Sequence, residues 1–82
     1  MKELTKEDIL KNHVDTISQF KVLKYLKFCL NVDYFKLYLI DKGIKVVDTK
    51  KDTLYFYYDD MTNDVITTDE ELTFDKSIDI EL

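Results

Sequence analysis

The chain predicts an α+β domain: two to three N-terminal helices, then an antiparallel hairpin or meander of three to four strands. Three observations carry this prediction. Apolar residues recur at spacings of three and four up to residue 30, the period changes to two after Gly43, and no linker or repeat interrupts the 82 residues. The reading is therefore one domain over residues 1–82. Residues 1–43 are expected to be mainly helical and net basic, and residues 44–82 mainly strands, acidic from residue 59.

The first element is announced by Thr5 and, three residues on, Asp8, which form a capping-box pattern for a short helix over residues 6–12 with Ile9 and Leu10 inward. Thr16 and Gln19 repeat the pattern. The stretch that follows to Leu30 places Ile17, Phe20, Leu23, Leu26 and Leu30 on one face, with Val22 and Cys29 widening the stripe, and Lys21, Lys24 and Lys27 line another face. Asn31 ends it. Residues 34–42 read as a third helix, because Tyr34, Leu37 and Ile40 share a side and Lys42-Gly43 has the form of a helix stop with Gly43 in a left-handed C′ position. The same residues are rich in strand formers, which makes a strand the competing assignment.

Beyond Gly43, Ile44 and Val46 begin a strand and residues 49–52 turn the chain. Leu54, Phe56 and Tyr58 then face one way, Tyr55 and Tyr57 the other. Residues 65–68 are placed to pair back on residues 55–58. Leu72, Phe74, Ile78, Ile80 and Leu82 share one parity with Asp79 and Glu81 opposite, which predicts a last half-buried strand carrying its acids in a row.

A chain of this size removes only about 60–65 % of its unfolded surface from water and is stable by ~5–8 kcal/mol, which argues against a large buried active-site cleft. Composition also narrows the function classes. Cys29 is the sole cysteine, so no internal disulfide forms, and no apolar run reaches the length of a membrane span or signal peptide; the expectation is a cytoplasmic protein without a membrane role. Cys29 lies on an apolar stripe and His13 in a polar connection, so both read as structural, and Asp59 and Asp60, adjacent in a strand, point to opposite faces. There is no phosphate loop, nucleophile elbow or zinc pattern. Asp60, Thr62, Asp64 and Glu71 fall at the first, third, fifth and twelfth positions of a calcium-loop spacing, but Val65 stands where the sharp turn requires Gly. The expectation is no enzyme, no metal and no cofactor.

Charge is the strongest functional signal. Residues 1–58 hold 11 Lys against 8 acids, while residues 59–82 hold 9 acids against Lys76 alone, so about +3 is followed by about −8 and the sum is the net −5. A two-signed surface suits a binding module. Carboxylates at strand spacing can imitate a phosphate backbone and occupy the basic channel of a nucleic-acid-processing protein. In size and charge the chain is similar to small phage-encoded inhibitors of nucleases, anti-CRISPR proteins among them, and to nuclease immunity proteins. The expected contacts are Asp59, Asp60, Asp64, Asp69, Glu70 and Glu71, with Tyr55 and Tyr57 as aromatic anchors.

The order helix, helix, helix, hairpin up to Tyr58 also resembles in outline the winged helix-turn-helix family. That resemblance implies a transcriptional regulator binding duplex DNA through the third helix and the wing. Lys36, Lys42 and Lys45, with Lys50 and Lys51 in the wing turn, are the phosphate contacts it implies. It ranks second, because the chain has no Arg to read guanine and carries net negative charge.

Overall fold

A computed structural model of the chain describes residues 1–74 and 79–82. It shows a five-stranded antiparallel sheet in sequential order, with one long helix against one face. The strands are β1 (Lys2–Glu3), β2 (Lys36–Ile40), β3 (Gly43–Val47), β4 (Thr53–Asp59) and β5 (Asp64–Thr68). The helices are α1 (Lys6–Leu10) and α2 (Ile17–Cys29), and a single 3₁₀ turn, Val32–Tyr34, precedes β2. Among the described residues, no helix is long and apolar enough to cross a membrane.

Both capping boxes form. Thr5 Oγ1 accepts from the Asp8 N–H at 3.1 Å and Asp8 Oδ2 accepts from the Thr5 N–H at 2.9 Å. That backbone bond, reinforced by His13 Nδ1 at 3.1 Å from Asp8 Oδ1, holds the Asp8 carboxyl below its ordinary value. Thr16 and Gln19 repeat the arrangement at the start of α2, where Asp79 Oδ1 also accepts a long 3.4 Å bond from the Ser18 N–H at the positive end of the helix.

The core lies between α2 and one sheet face. Antiparallel partners share a face, so the register Leu39↔Ile44↔Phe56 and Leu37↔Val46 places these side chains together. Val22, Leu23 and Leu26 of α2 pack on them, and Leu37 and Ile44 reach zero exposure. Complete burial of such side chains contributes about 1.5–3 kcal/mol each. Cys29, expected on this stripe, is exposed: it sits at the margin of the last helical turn beside Tyr25, whose hydroxyl is raised by a hydrogen bond with the thiol.

Residues 34–42 are not a helix. Leu37 and Leu39 alternate with Tyr38, and sheet pairing on both sides of β2 outweighs the helical spacing of Tyr34, Leu37 and Ile40. The first half is accordingly less helical than expected, and the sheet has five strands instead of three or four. The recognition helix of the winged helix-turn-helix outline is thereby replaced by a sheet strand, so the element order behind that resemblance is not present.

Gly43 also has a different role from the one its sequence context implies. The left-handed residue of the two-residue β2–β3 turn is Lys42, at φ 59°, and Gly43 has no positive φ. Gly43 opens β3 directly opposite Tyr57, and a Cβ there would collide with the Phe56 carbonyl oxygen. Close backbone approach, not backbone freedom, is what requires glycine.

The expected pairing of residues 65–68 on residues 55–58 is present in register, Tyr55↔Thr68 through Tyr58↔Val65. Among the described residues the last expected strand does not form, and the chain after β5 runs as a strap. Leu72 and Phe74 cross the sheet face that α2 leaves open, Ile78 lies outside the described residues, and Ile80 and Leu82 are exposed at 67 % and 62 %. Near the C-terminus the Ile80 carbonyl accepts from the Ile17 N–H at 2.7 Å and the Leu82 N–H donates to Asp15 at 3.0 Å, a single bridge at Thr16 and Glu81.

Candidate functional site

The face opposite α2 carries Lys36, Tyr38, Lys45, Val47, Tyr55, Tyr57, Asp59, Asp64, Ile66 and Thr68, as the strand registers require. The strap divides it. The Tyr57 hydroxyl accepts from the Leu72 N–H at 2.8 Å, the Phe74 ring meets the Tyr57 ring edge-on at 5.2 Å, and Lys42 Nζ lies 5.5 Å over the Phe74 ring. Tyr57 is 1 % exposed as a result. Burial raises its hydroxyl pKa, and the nearby charge of Glu71 adds to this, while the Leu72 N–H acts the other way. Tyr57 is therefore an internal support of the strap and not an exposed anchor. Tyr57→Phe is expected to cost about 1 kcal/mol and to speed exchange of the Leu72 amide, since one half-buried donor loses its acceptor while the ring contact with Phe74 remains. Unfolding in urea with amide exchange measures both.

Tyr55 stays half-buried on the uncovered part of the face. Its rung runs Tyr38, Lys45, Tyr55, Thr68 across four strands, with Lys45 Nζ 5.5 Å over the Tyr38 ring. Tyr38 was not singled out by the sequence, because its segment reads equally as helix.

The six acids do not form one row. They fall at the two ends of β5. Asp59 and Asp64 are direct cross-strand partners on the open face, and Asp60 lies in the adjoining turn at residues 60–63. Asp69, Glu70 and Glu71 follow the other end of β5 and begin the strap, all exposed. Some of these carboxylates also shape the chain: Asp59 Oδ1 accepts from the Met61 N–H at 3.0 Å and Asp64 Oδ1 from the Val65 N–H at 2.8 Å. Lys42 reaches Asp60 at 3.8 Å, and among the described residues neither Asp59 nor Asp64 has a cationic partner. Like charges directly opposite in a sheet destabilise it.

The lysines of the alternative reading are dispersed. Lys42 sits in the β2–β3 turn with Asp60 and Phe74, Lys50 and Lys51 occupy the opposite end of the sheet in the turn after β3, and Lys36 and Lys45 lie on the open face. Two lysines of the α2 stripe, though exposed, are engaged in contacts within the chain. Lys27 Nζ donates to the Ile9 carbonyl at 2.9 Å and to Asn12 Oδ1 at 3.0 Å, and Lys21 Nζ lies 4.4 Å over the Tyr58 ring, which leaves Lys24 on that face. Among the described residues, no group of three or more His, Cys, Asp or Glu is arranged to hold a metal ion. Against protein-family models, curated proteins and solved structures alike, the chain has no match.

Proposed function

We propose that the protein is a small non-enzymatic binding module whose acidic β4–β5 end engages a basic, nucleic-acid-binding surface of another protein, as an inhibitor or regulator does by standing in for phosphates. The observation that supports this most directly is the Asp59–Asp64 pair: two carboxylates held on one rung of the open face, with no cationic partner among the described residues. The free protein carries the repulsion, and a cationic partner relieves it. Asp60 in the adjoining turn and the net charge of −5 extend the same field and favour fast, salt-sensitive encounter.

The test is a separation of binding from stability. In Asp59→Asn/Asp60→Asn/Asp64→Asn the turn-forming oxygens remain and the charges go. Affinity for a basic partner captured from nuclease-treated host lysate should fall at least tenfold, while the urea midpoint stays level or rises. Capture that survives both the triple substitution and 1 M salt would sink the charge-based reading.

A further inference from the structure

We infer that the outer edge of β5 is a docking strand, which takes an extended basic segment of the partner as a sixth strand of the sheet. This rests on the acidic end being the partner surface, and adds how the partner is held. Sheet order leaves β5 with β4 as its one neighbour among the described strands.

The direction of the backbone groups follows from β4. The Tyr58 N–H donates to the Lys42 carbonyl at 3.2 Å and the Phe56 carbonyl faces Gly43, so the even positions of β4 bond toward β3. Tyr55, Tyr57 and Asp59 therefore bond toward β5, and their partners Thr68, Ile66 and Asp64 use the inner side. The backbone groups of Val65 and Thr67 point outward. The Val65 N–H donates to the Asp64 carboxylate at 2.8 Å, a side-chain acceptor where a further strand would supply a carbonyl. The Thr67 N–H and both carbonyls have no strand partner among the described residues.

Charge decides the occupant. A second copy pairing antiparallel about Ile66 would set Asp64 opposite the copy's Thr68, next to Asp69 and Glu70, at both ends of the ladder. A basic strand meets the opposite situation. On the open face β5 presents Asp64, then Ile66 at 40 % exposure, then Thr68 leading into Asp69. The complementary segment alternates cation, apolar, cation on that face, with the two cations about 13 Å apart. Its first cation falls beside Asp64 and completes the Asp59–Asp64 rung. The recognition mode is strand addition, in which main-chain bonds give affinity and alternate side chains give selectivity.

The probe is a synthetic peptide with Lys-Thr-Val-Thr-Lys at its centre, compared with the same sequence carrying N-methyl groups at the backbone positions that face β5. Binding of the first is expected to protect the Thr67 amide from exchange, and the N-methylated peptide, with unchanged charge, should bind at least tenfold more weakly. Thr67→Pro should lose binding to the same extent without a change in unfolding midpoint, because the removed N–H is outside the β4 ladder. Equal affinity for the two peptides overturns the docking strand and leaves the charge reading standing. Equal affinity of wild type and Asp59→Asn/Asp64→Asn for the parent peptide overturns both. A mass that doubles with concentration in sedimentation, with Thr67 protected in the absence of peptide, assigns the edge to a second copy and overturns the proposal.

Discussion

Gly43→Ala is expected to remove a large part of the stability of the fold, at least about 3 kcal/mol of a total near 5–8 kcal/mol. The added Cβ meets the Phe56 carbonyl, which is backbone, and the Tyr57 ring at 3.0 Å, which is locked by the strap. Neither can step aside cheaply. Moving β4 away from β3 breaks the central ladder of five pairs, Gly43↔Tyr57 through Val47↔Thr53, and opens the core at Ile44 and Phe56. Urea unfolding followed by circular dichroism measures the loss, and a change below 1 kcal/mol would show that the strands can separate locally without strain. The expectation differs in kind from a usual glycine argument. Were Gly43 needed for a left-handed turn, Ala would cost about 1 kcal/mol and Asn would be tolerated; here every side chain meets the same carbonyl, so Asn should be no better than Ala.

Much of this fold was legible in local chemistry, and the exceptions have physical causes. The capping boxes at Thr5 and Thr16 were readable because they need only residues three apart, and both form with the expected atoms. That residues 65–68 pair back on residues 55–58 was readable because a short polar turn joins the two segments, while the register itself comes from the structure. The segment at 36–40 was misread because Tyr34, Leu37 and Ile40 satisfy a helical period and Leu37, Tyr38 and Leu39 satisfy a strand period; only the neighbouring strands, distant in sequence, decide between them. Gly43 was misread for the same reason, since its obstacle belongs to β4.

The candidate site shows the same division. That residues 59–71 carry the acidic field was plain from the sequence. That the field splits around β5, with Asp59 and Asp64 on one rung and Asp69 to Glu71 beyond the other end, depends on register. Tyr55 and Tyr57 look equivalent in sequence and are not: the strap buries one and leaves the other half-open, and no local pattern foretells where a chain that has left its last strand will cross. The lysines lose their meaning as a stripe for a related reason, because Lys21 and Lys27 find partners on Tyr58 and on α1.

Gln19→Leu is the second large effect, an expected loss of about 2–4 kcal/mol with little change in side-chain volume. The residue is 5 % exposed and its side chain makes three hydrogen bonds. Its Oε1 accepts from the Asp15 N–H at 2.9 Å and the Thr16 N–H at 3.1 Å, and its Nε2 donates to the Ile40 carbonyl at 2.8 Å. The first two close the cap of α2. The third ties that cap to the end of β2, on the far side of the core in sequence. Leucine removes the second donor of the buried Ile40 carbonyl, which keeps the Gly43 N–H across the β2–β3 register, and leaves two amides without an acceptor, each loss worth about 1–3 kcal/mol where water cannot reach and less at the half-buried amides. Gln19→Glu separates the two roles. A carboxylate still satisfies the cap, since Glu serves a capping box as well as Gln, but it sets negative charge against the Ile40 carbonyl in place of a donor. If the tie to β2 carries the stability, Gln19→Glu falls nearly as far as Gln19→Leu at neutral pH. If Gln19→Glu matches the wild type, Gln19 acts through the cap alone, and α2 is held to the sheet by the packing of Val22, Leu23 and Leu26.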